Sequence, residues 1–140
     1  MEPQVDEIVD IPANRIKFFG GTGKMLLPGP ATIAGLINHI PEHQLLTTEQ
    51  LRQKLTEQFK VQGTCPVTTR KSLQAVAHDT GKRVAYWRVI NTNGTLISHF
   101  PGGVEGHAAL LRNEGFTINT EGKTPKVQAF RESLAHFELC

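Results

Sequence analysis

TTEQLRQKLTEQFKVQGTCPVTTRKSLQAVAHD, residues 47–79, is the stretch on which the reading of this chain turns. Its first part carries Leu51, Leu55 and Phe59 at helical spacing, one apolar stripe along an otherwise polar helix. Thr47, with Gln50 three residues on, has the pattern of a capping box, in which each side chain accepts the other's backbone N–H. VQGT breaks that helix. Pro66 then suits the first position of a second helix, where its missing N–H is not needed. Val67, Leu73, Val76 and Ala77 are read as the inner face of this helix, which leaves Arg70 and Lys71 toward solvent. A helix, a short break and a second helix with exposed cations have the pattern of a helix-turn-helix.

Downstream, RVINTNGTLISHF (88–100) reads as a short β-hairpin turning at Asn93-Gly94. A hairpin in that position makes the unit winged. GVEGHAALLRNEG (103–115) reads as a helix with Gly115 as its left-handed terminator. KVQAFRESLAHFEL (126–139) places Val127, Phe130, Leu134 and Phe137 on one face, which predicts a C-terminal helix docked on the core. Upstream, Ile33, Leu36, Ile37 and Ile40 recur at helical spacing from Thr32, and Pro41 stops that helix. Residues 1–30 show no sustained period. GGTGKMLLPGP (20–30) invites a phosphate-loop reading, but that pattern needs glycine at position 18 and serine or threonine at 25, where Phe18 and Met25 stand. The expected fold is mainly α with a small β-hairpin wing. Residues 1–30 form an arm or loop, 31–118 a winged helix-turn-helix domain, and 119–140 a C-terminal helical extension.

The 140 residues suit one domain with a modest core. No apolar run is long enough to span a membrane. The acidic start, MEPQVDEIVD, has no apolar stretch of the kind a secretory signal carries. Cys65 and Cys140 are too few for a disulfide framework or a zinc cage, and a cytoplasmic setting is expected. The six histidines (His39, His43, His78, His99, His107 and His136) show no ligand spacing. They are read as surface or satisfied core residues, and no metal or cofactor is expected. The net charge of +2 is unevenly placed. Glu2, Asp6, Glu7 and Asp10 make the start acidic. Arg70, Lys71, Lys82, Arg83 and Arg88, set against Asp79 alone, make 70–88 basic. A local basic surface is the footprint of a polyanion binder, and it is also what a plain solvated face looks like.

The order of these motifs resembles the C-terminal, DNA-binding domain of O6-alkylguanine-DNA alkyltransferases, and within that group the alkyltransferase-like proteins that lack the acceptor cysteine. CPVTTRKSLQAVA (65–77) is similar to the family's Asn-Pro-x-x-x-Arg recognition helix, with Cys65 where asparagine is usual and Arg70 on the arginine finger that fills the gap left by a flipped nucleotide. YWRVINTNG (86–94) resembles the Pro-Cys-His-Arg-Val motif and its asparagine hinge: Arg88 and Val89 match, and Asn91 falls at the hinge. FPGGVEGHAALLRNEG (100–115) resembles the lid loop and the helix ending Leu-Leu-x-x-Glu-Gly. The resemblance spans roughly Thr32 to Gly115. It implies contacts to double-stranded DNA from Thr48, Thr68, Arg70, Lys71, Lys82 and Arg83. It implies a base pocket from Tyr86, Trp87, Arg88, Val89, Asn91, Phe100, Pro101, Gly102, Gly103 and Glu114.

The departures bear on chemistry. Ala85 stands for the motif proline, Tyr86 for the acceptor cysteine and Trp87 for the histidine. The family's transfer needs a thiolate, generated through a histidine paired with a glutamate. Glu114 remains and the other two members are gone. A phenol with a pKa of about 10 is a poor substitute. Thr48 falls where the family often has a backbone-contacting tyrosine, and Phe100 and Pro101 where hydroxyl groups often hold the base. The resemblance therefore implies no catalytic residue: a non-enzymatic protein that senses O6-alkylguanine-type damage by base flipping and marks it for excision-repair proteins. Two other readings stay open, an active alkyltransferase using another cysteine and a winged-helix regulatory module that flips no base.

Overall fold

A computed structural model describes residues 6–79 and 84–134. In it the chain is helix-rich with small sheets. Strand β1 (Glu7–Asp10) pairs antiparallel with β2 (Lys24–Leu27), Glu7 opposite Leu27 and Asp10 opposite Lys24. Between them a 3-10 turn, Ala13–Arg15, runs into α1 (Ile16–Phe19), which Gly20 ends at φ +78°. From residue 6 on, the segment expected to be an arm or loop thus carries two strands and a short helix. Its strands are four residues each, too short to leave a period in the sequence. Gly29 then leads into α2 (Pro30–Ile37) and has no side chain to cap it. Asp6 supplies the cap from the strand side: its carboxylate accepts the Gly29 N–H at 2.7 Å and the Thr32 hydroxyl at 2.6 Å.

Strand β3 (Leu46–Thr47) feeds α3 (Thr48–Phe59). The capping box forms as read: Thr47 Oγ1 accepts the Gln50 N–H at 3.1 Å, and Gln50 Oε1 accepts the Thr47 N–H at 3.0 Å. Lys60 closes α3 in the left-handed conformation, and β4 (Gly63–Thr64) joins the far edge of β2 in parallel. Helix α4 (Pro66–His78) follows, with Pro66 in its first turn. Its buried face is Thr69, Ser72, Leu73, Val76 and Ala77. Val67, expected inside, is 42% exposed. It lies two residues before Thr69, about 200° round the helix from the buried face. Helices α2, α3 and α4 enclose the main core, with Ile33, Leu36, Ile37, Ile40, Leu51, Leu55 and Leu73 all buried.

After α4 a 3-10 turn, Tyr86–Arg88, enters β5 (Val89–Ile90). The hairpin expected over 88–100 does not form. Its turn does: Gly94 N–H bonds Asn91 O at 2.8 Å and Asn91 N–H bonds Thr95 O at 3.0 Å. But β5 pairs in parallel with β3, Leu46 opposite Val89, and Thr95 bridges Lys126 instead of running back along β5. Gly94 has φ +87°, and a Cβ there would lie 2.4 Å from the Phe130 ring, so the site requires glycine.

Helix α5 (Gly103–Asn113) ends as the sequence predicts. Gly115 has φ +105°. Its N–H bonds Arg112 O, and Phe116 N–H bonds Leu111 O, both at 3.0 Å, a complete Schellman motif. Strands β6 (Ile118–Asn119) and β7 (Lys126–Val127) pair antiparallel. The described part of the expected C-terminal helix is therefore a strand followed by a 3-10 turn, Phe130–Ser133, with Ala129 left-handed at φ +53°. Pairing of Val127 and the left-handed Ala129 exclude helix there, yet Val127 and Phe130 are buried as read, and Leu134 bridges Leu45. Phe137 lies outside the described residues. No helix among the described residues is long and apolar enough to cross a membrane.

Candidate nucleic-acid interface

Helix α4 turns Val67, Arg70, Lys71 and Gln74 outward, because its inner positions are taken by the core contacts with α2 and α3. Thr68 is half-buried on the same helix. Lys82 and Arg83, expected beside it, lie outside the described residues. Beneath Arg70 is a cavity of about 240 Å³. Thr48 and Arg52 of α3, Val67 and Arg70 of α4, and Asn91 and His99 form its walls, and Leu73 and Ile97 line it within. The fold explains the grouping. The capping box sets the start of α3, the β3–β5 pairing lays Asn91 against it, and the Asn91 amide bonds Thr95 Oγ1 and Leu96 O, both at 3.1 Å.

His99, expected as a surface or satisfied core residue, is part of this wall. Its Nε2 is buried without a hydrogen-bond partner among the described residues, while His78 Nε2 meets the His99 carbonyl at 3.1 Å. Burial, then the charges of Arg70 and His78, hold the His99 imidazole below its ordinary pKa. Nothing in the local sequence distinguishes it from the other five histidines.

Most of the expected pocket residues do not line the cavity. Of the ten, Asn91 alone lines it. Tyr86 is half-buried, its ring edge-on to Trp87 at 5.5 Å and to Phe100 at 5.0 Å. Phe100 in turn is 5.9 Å from the His99 ring, so a row of aromatics leads from Tyr86 to the cavity wall. Burial raises the Tyr86 phenol above its ordinary value. Val89 is fully buried in β5. Pro101, Gly102 and Gly103 make the tight entry to α5, with Gly102 at φ +77° and Gly103 at φ +67°.

Arg88 and Glu114 form a buttress. Their side chains are 15% and 11% exposed, and Arg88 Nη2 meets Glu114 Oε2 at 2.9 Å. Arg88 Nε donates to both Glu114 oxygens, and Nη1 to the Ile40 carbonyl at 2.9 Å. Glu114 also accepts Trp87 Nε1–H at 2.7 Å and the His43 N–H at 2.8 Å. Burial works against this carboxylate, but the bonds from Arg88, His43 and Trp87 outweigh it and hold the pKa below the ordinary value.

His107, on α5, is fully buried and had no role in the sequence reading beyond that of a satisfied core residue. Ile97 N–H donates to its Nδ1 at 3.0 Å, so Nε2 carries the proton and donates to the Trp87 carbonyl at 2.8 Å. Burial pushes its pKa down to about 4. Cys65, 6% exposed at the start of α4, is opposed by burial but held below the usual thiol value by hydrogen bonds from Thr68 and Val67 and by Arg15. It does not line the cavity. Among the described residues no group of histidine, cysteine and carboxylate side chains is placed to hold a metal.

No family model matches the chain, and no curated protein matches it in sequence. Solved structures do. One is Atl1 of S. pombe in complex with damaged DNA containing O6-carboxymethylguanine, and another is ATL of S. pombe in complex with DNA. Each superposes with a TM-score of 0.58 at 19% identity, over 76% of this chain and 94% of the other. The chain therefore has the fold of S. pombe Atl1.

Proposed function

We propose that the protein is a non-enzymatic, alkyltransferase-like sensor of O6-alkylguanine-type damage in double-stranded DNA. The observation that carries the reading is Arg70, exposed on α4 at the mouth of the cavity. Helix α4 enters the minor groove, Arg70 takes the place of the extruded nucleotide, and the base rotates through the cavity between α3 and α4 toward a pocket beside Tyr86. At about 240 Å³ the cavity falls below the ~300–1,000 Å³ of pockets for drug-sized ligands, the scale of a single heterocycle. Extrusion costs a few kcal/mol and is cheapest for a weakened pair, which supplies preference for damage. Lys71, Lys82 and Arg83 add phosphate contacts and much of the affinity. The solved neighbours bind DNA, one of them damaged DNA, which supports the same partner here. The complex then marks the lesion for excision-repair proteins.

The side chains near the acceptor position favour sensing over transfer. Tyr86 offers a phenol whose pKa burial raises further. Trp87 is tied to Glu114 by a nitrogen that only donates. The test combines two readouts. A fluorescent base analogue opposite a mismatch should brighten on binding, and Arg70→Ala should abolish that signal. Protein mass after incubation with O6-methylguanine DNA should not change. A mass gain on Cys65 or Cys140 would make the protein an alkyltransferase. Binding with no unstacking would make it a regulatory DNA-binding module.

A further inference from the structure

The N-terminal turn at residues 13–19 lies against Gln62–Cys65, the segment that leads into α4. Three contacts fix it there. The Phe19 ring packs on Gly63, where a Cβ would lie 2.2 Å from the ring. Gln62 Nε2 donates to the Phe19 carbonyl at 2.8 Å. Arg15 is close enough to Cys65, the residue before α4, to favour its thiolate. On this base Phe18 stands 62% exposed, edge-on to Phe19 at 4.9 Å. The Arg15 guanidinium lies 5.4 Å from the Phe18 ring centre and 5.7 Å from that of Phe19. Phe18 and Val67 are two of the three large apolar side chains exposed among the described residues, one on each side of the junction between turn and helix.

Two of the three described acidic residues that lead into this turn are already committed. Asp10 pairs with Lys24, and Asp6 caps α2. Glu7 sits at the far end of β1, opposite Leu27. Among the described residues neither Arg15 nor Lys17 has an ion-pair partner. The turn therefore presents two cations and an exposed aromatic close to the residues that lead into α4.

We infer that Arg15, Lys17 and Phe18 form a second DNA contact, which takes the phosphate backbone of the same duplex beyond the start of α4. The cations meet phosphates, and Phe18 packs on the sugars between them. This inference rests on α4 being the DNA-binding face. It gives the N-terminal segment, whose acidic sequence suggests repulsion from phosphate, the opposite role.

Binding is measured across a salt series on two duplexes of one sequence, with guanine or O6-methylguanine at one position, both running well past the ends of α4. The pair Arg15→Gln with Lys17→Gln should weaken binding to both duplexes by the same factor and lower the salt slope by about 2 units, near 0.9 per phosphate. Phe18→Ala should weaken both without changing the slope. Lys17→Glu should weaken both more than Lys17→Gln. Lys17 and Phe18 are exposed, so these single variants should melt like the wild type and keep the test intact should the change at Arg15 disturb packing. Unchanged affinity and slope in Lys17→Glu and Phe18→Ala would overturn the inference, as would losses confined to the lesion duplex. Wild-type protein that binds DNA without preferring the lesion, with the slope still reduced in the variants, would sink damage sensing and leave this contact standing. Wild-type protein that binds neither duplex would sink both.

Discussion

Trp87 donates its indole N–H to Glu114 at 2.7 Å, and that carboxylate is also the partner of Arg88. The bond between Glu114 and Trp87 cannot serve as a proton relay. An imidazole in place of the indole is able to take a proton on one nitrogen while the carboxylate orients the other. An indole has one nitrogen and it only donates. What remains is a brace: Glu114, at the end of α5, ties Trp87, Arg88 and the His43 backbone together.

From this brace follows the expected behaviour of restored nucleophiles. Tyr86→Cys alone should gain little or no methyl transfer from O6-methylguanine DNA. A thiol with a pKa of about 8.5 is only a few per cent ionised at neutral pH. Tyr86→Cys with Trp87→His, Glu114 retained, should transfer faster than the single variant. Intact-protein mass spectrometry reads the result. Equal rates would show that the imidazole was not the limiting loss. No reaction in either variant, with lesion binding intact, would contradict a place for Tyr86 beside the bound base.

Acid stability should depend on His107. Its folded pKa is about 4 against 6.5 for the free imidazole, so between those values the unfolded chain binds the extra proton. Stability is then full above about pH 6.5, falls as pH drops toward 4, and loses no more from this group below that. The span of the two values amounts to ~3 kcal/mol at most. Denaturant midpoints measured from pH 7 to pH 4.5 should fall with acid, and His107→Gln should flatten that fall. A wild-type slope retained in the variant would assign the acid sensitivity to other groups.

Phe130 should matter as much as a helical core residue although it lies in a 3-10 turn. It is 4% exposed and fills the space above Gly94. Phe130→Ala should cost about 3–5 kcal/mol, seen as a lower midpoint in urea with the slope unchanged. A loss below ~1 kcal/mol, within the range of surface substitutions, would contradict the packing described here.

The helical parts of the fold were legible because their signals are local. Thr47 and Gln50 name the start of α3, Pro66 the start of α4, and Gly115 the end of α5. The strands were not. Each is two to four residues long, and their partners are distant in sequence, as in β3 with β5. Asn93-Gly94 correctly marks a turn, but a turn does not say which strand its arms will join, and Val89 chose Leu46. Val127 and Phe130 show the converse: apolar spacing identified buried residues and misassigned their element. For the candidate site, Thr48, Arg70 and Asn91 were picked out and meet at one cavity. Arg52 and His99 complete it and were missed, since an arginine on a polar helix and a histidine in a loop carry no signal until the chain folds them together. Arg88, Val89 and Glu114, expected in the pocket wall, do not line that cavity, and Arg88 and Glu114 pair with each other.

The central claim is that Arg70 and the cavity beneath it select a damaged base, and a binding comparison tests it most directly. One duplex with guanine is set against the same duplex with O6-methylguanine, at a fixed, stated salt concentration, for the wild type, Arg70→Ala and Lys71→Ala. The wild type should prefer the lesion, and Arg70→Ala should lose this preference. Lys71→Ala should weaken both duplexes about equally and lower the salt slope by about 1 unit. Equal wild-type affinity for the two duplexes, or the same uniform loss from both substitutions, would contradict the central claim and leave Arg70 a phosphate contact.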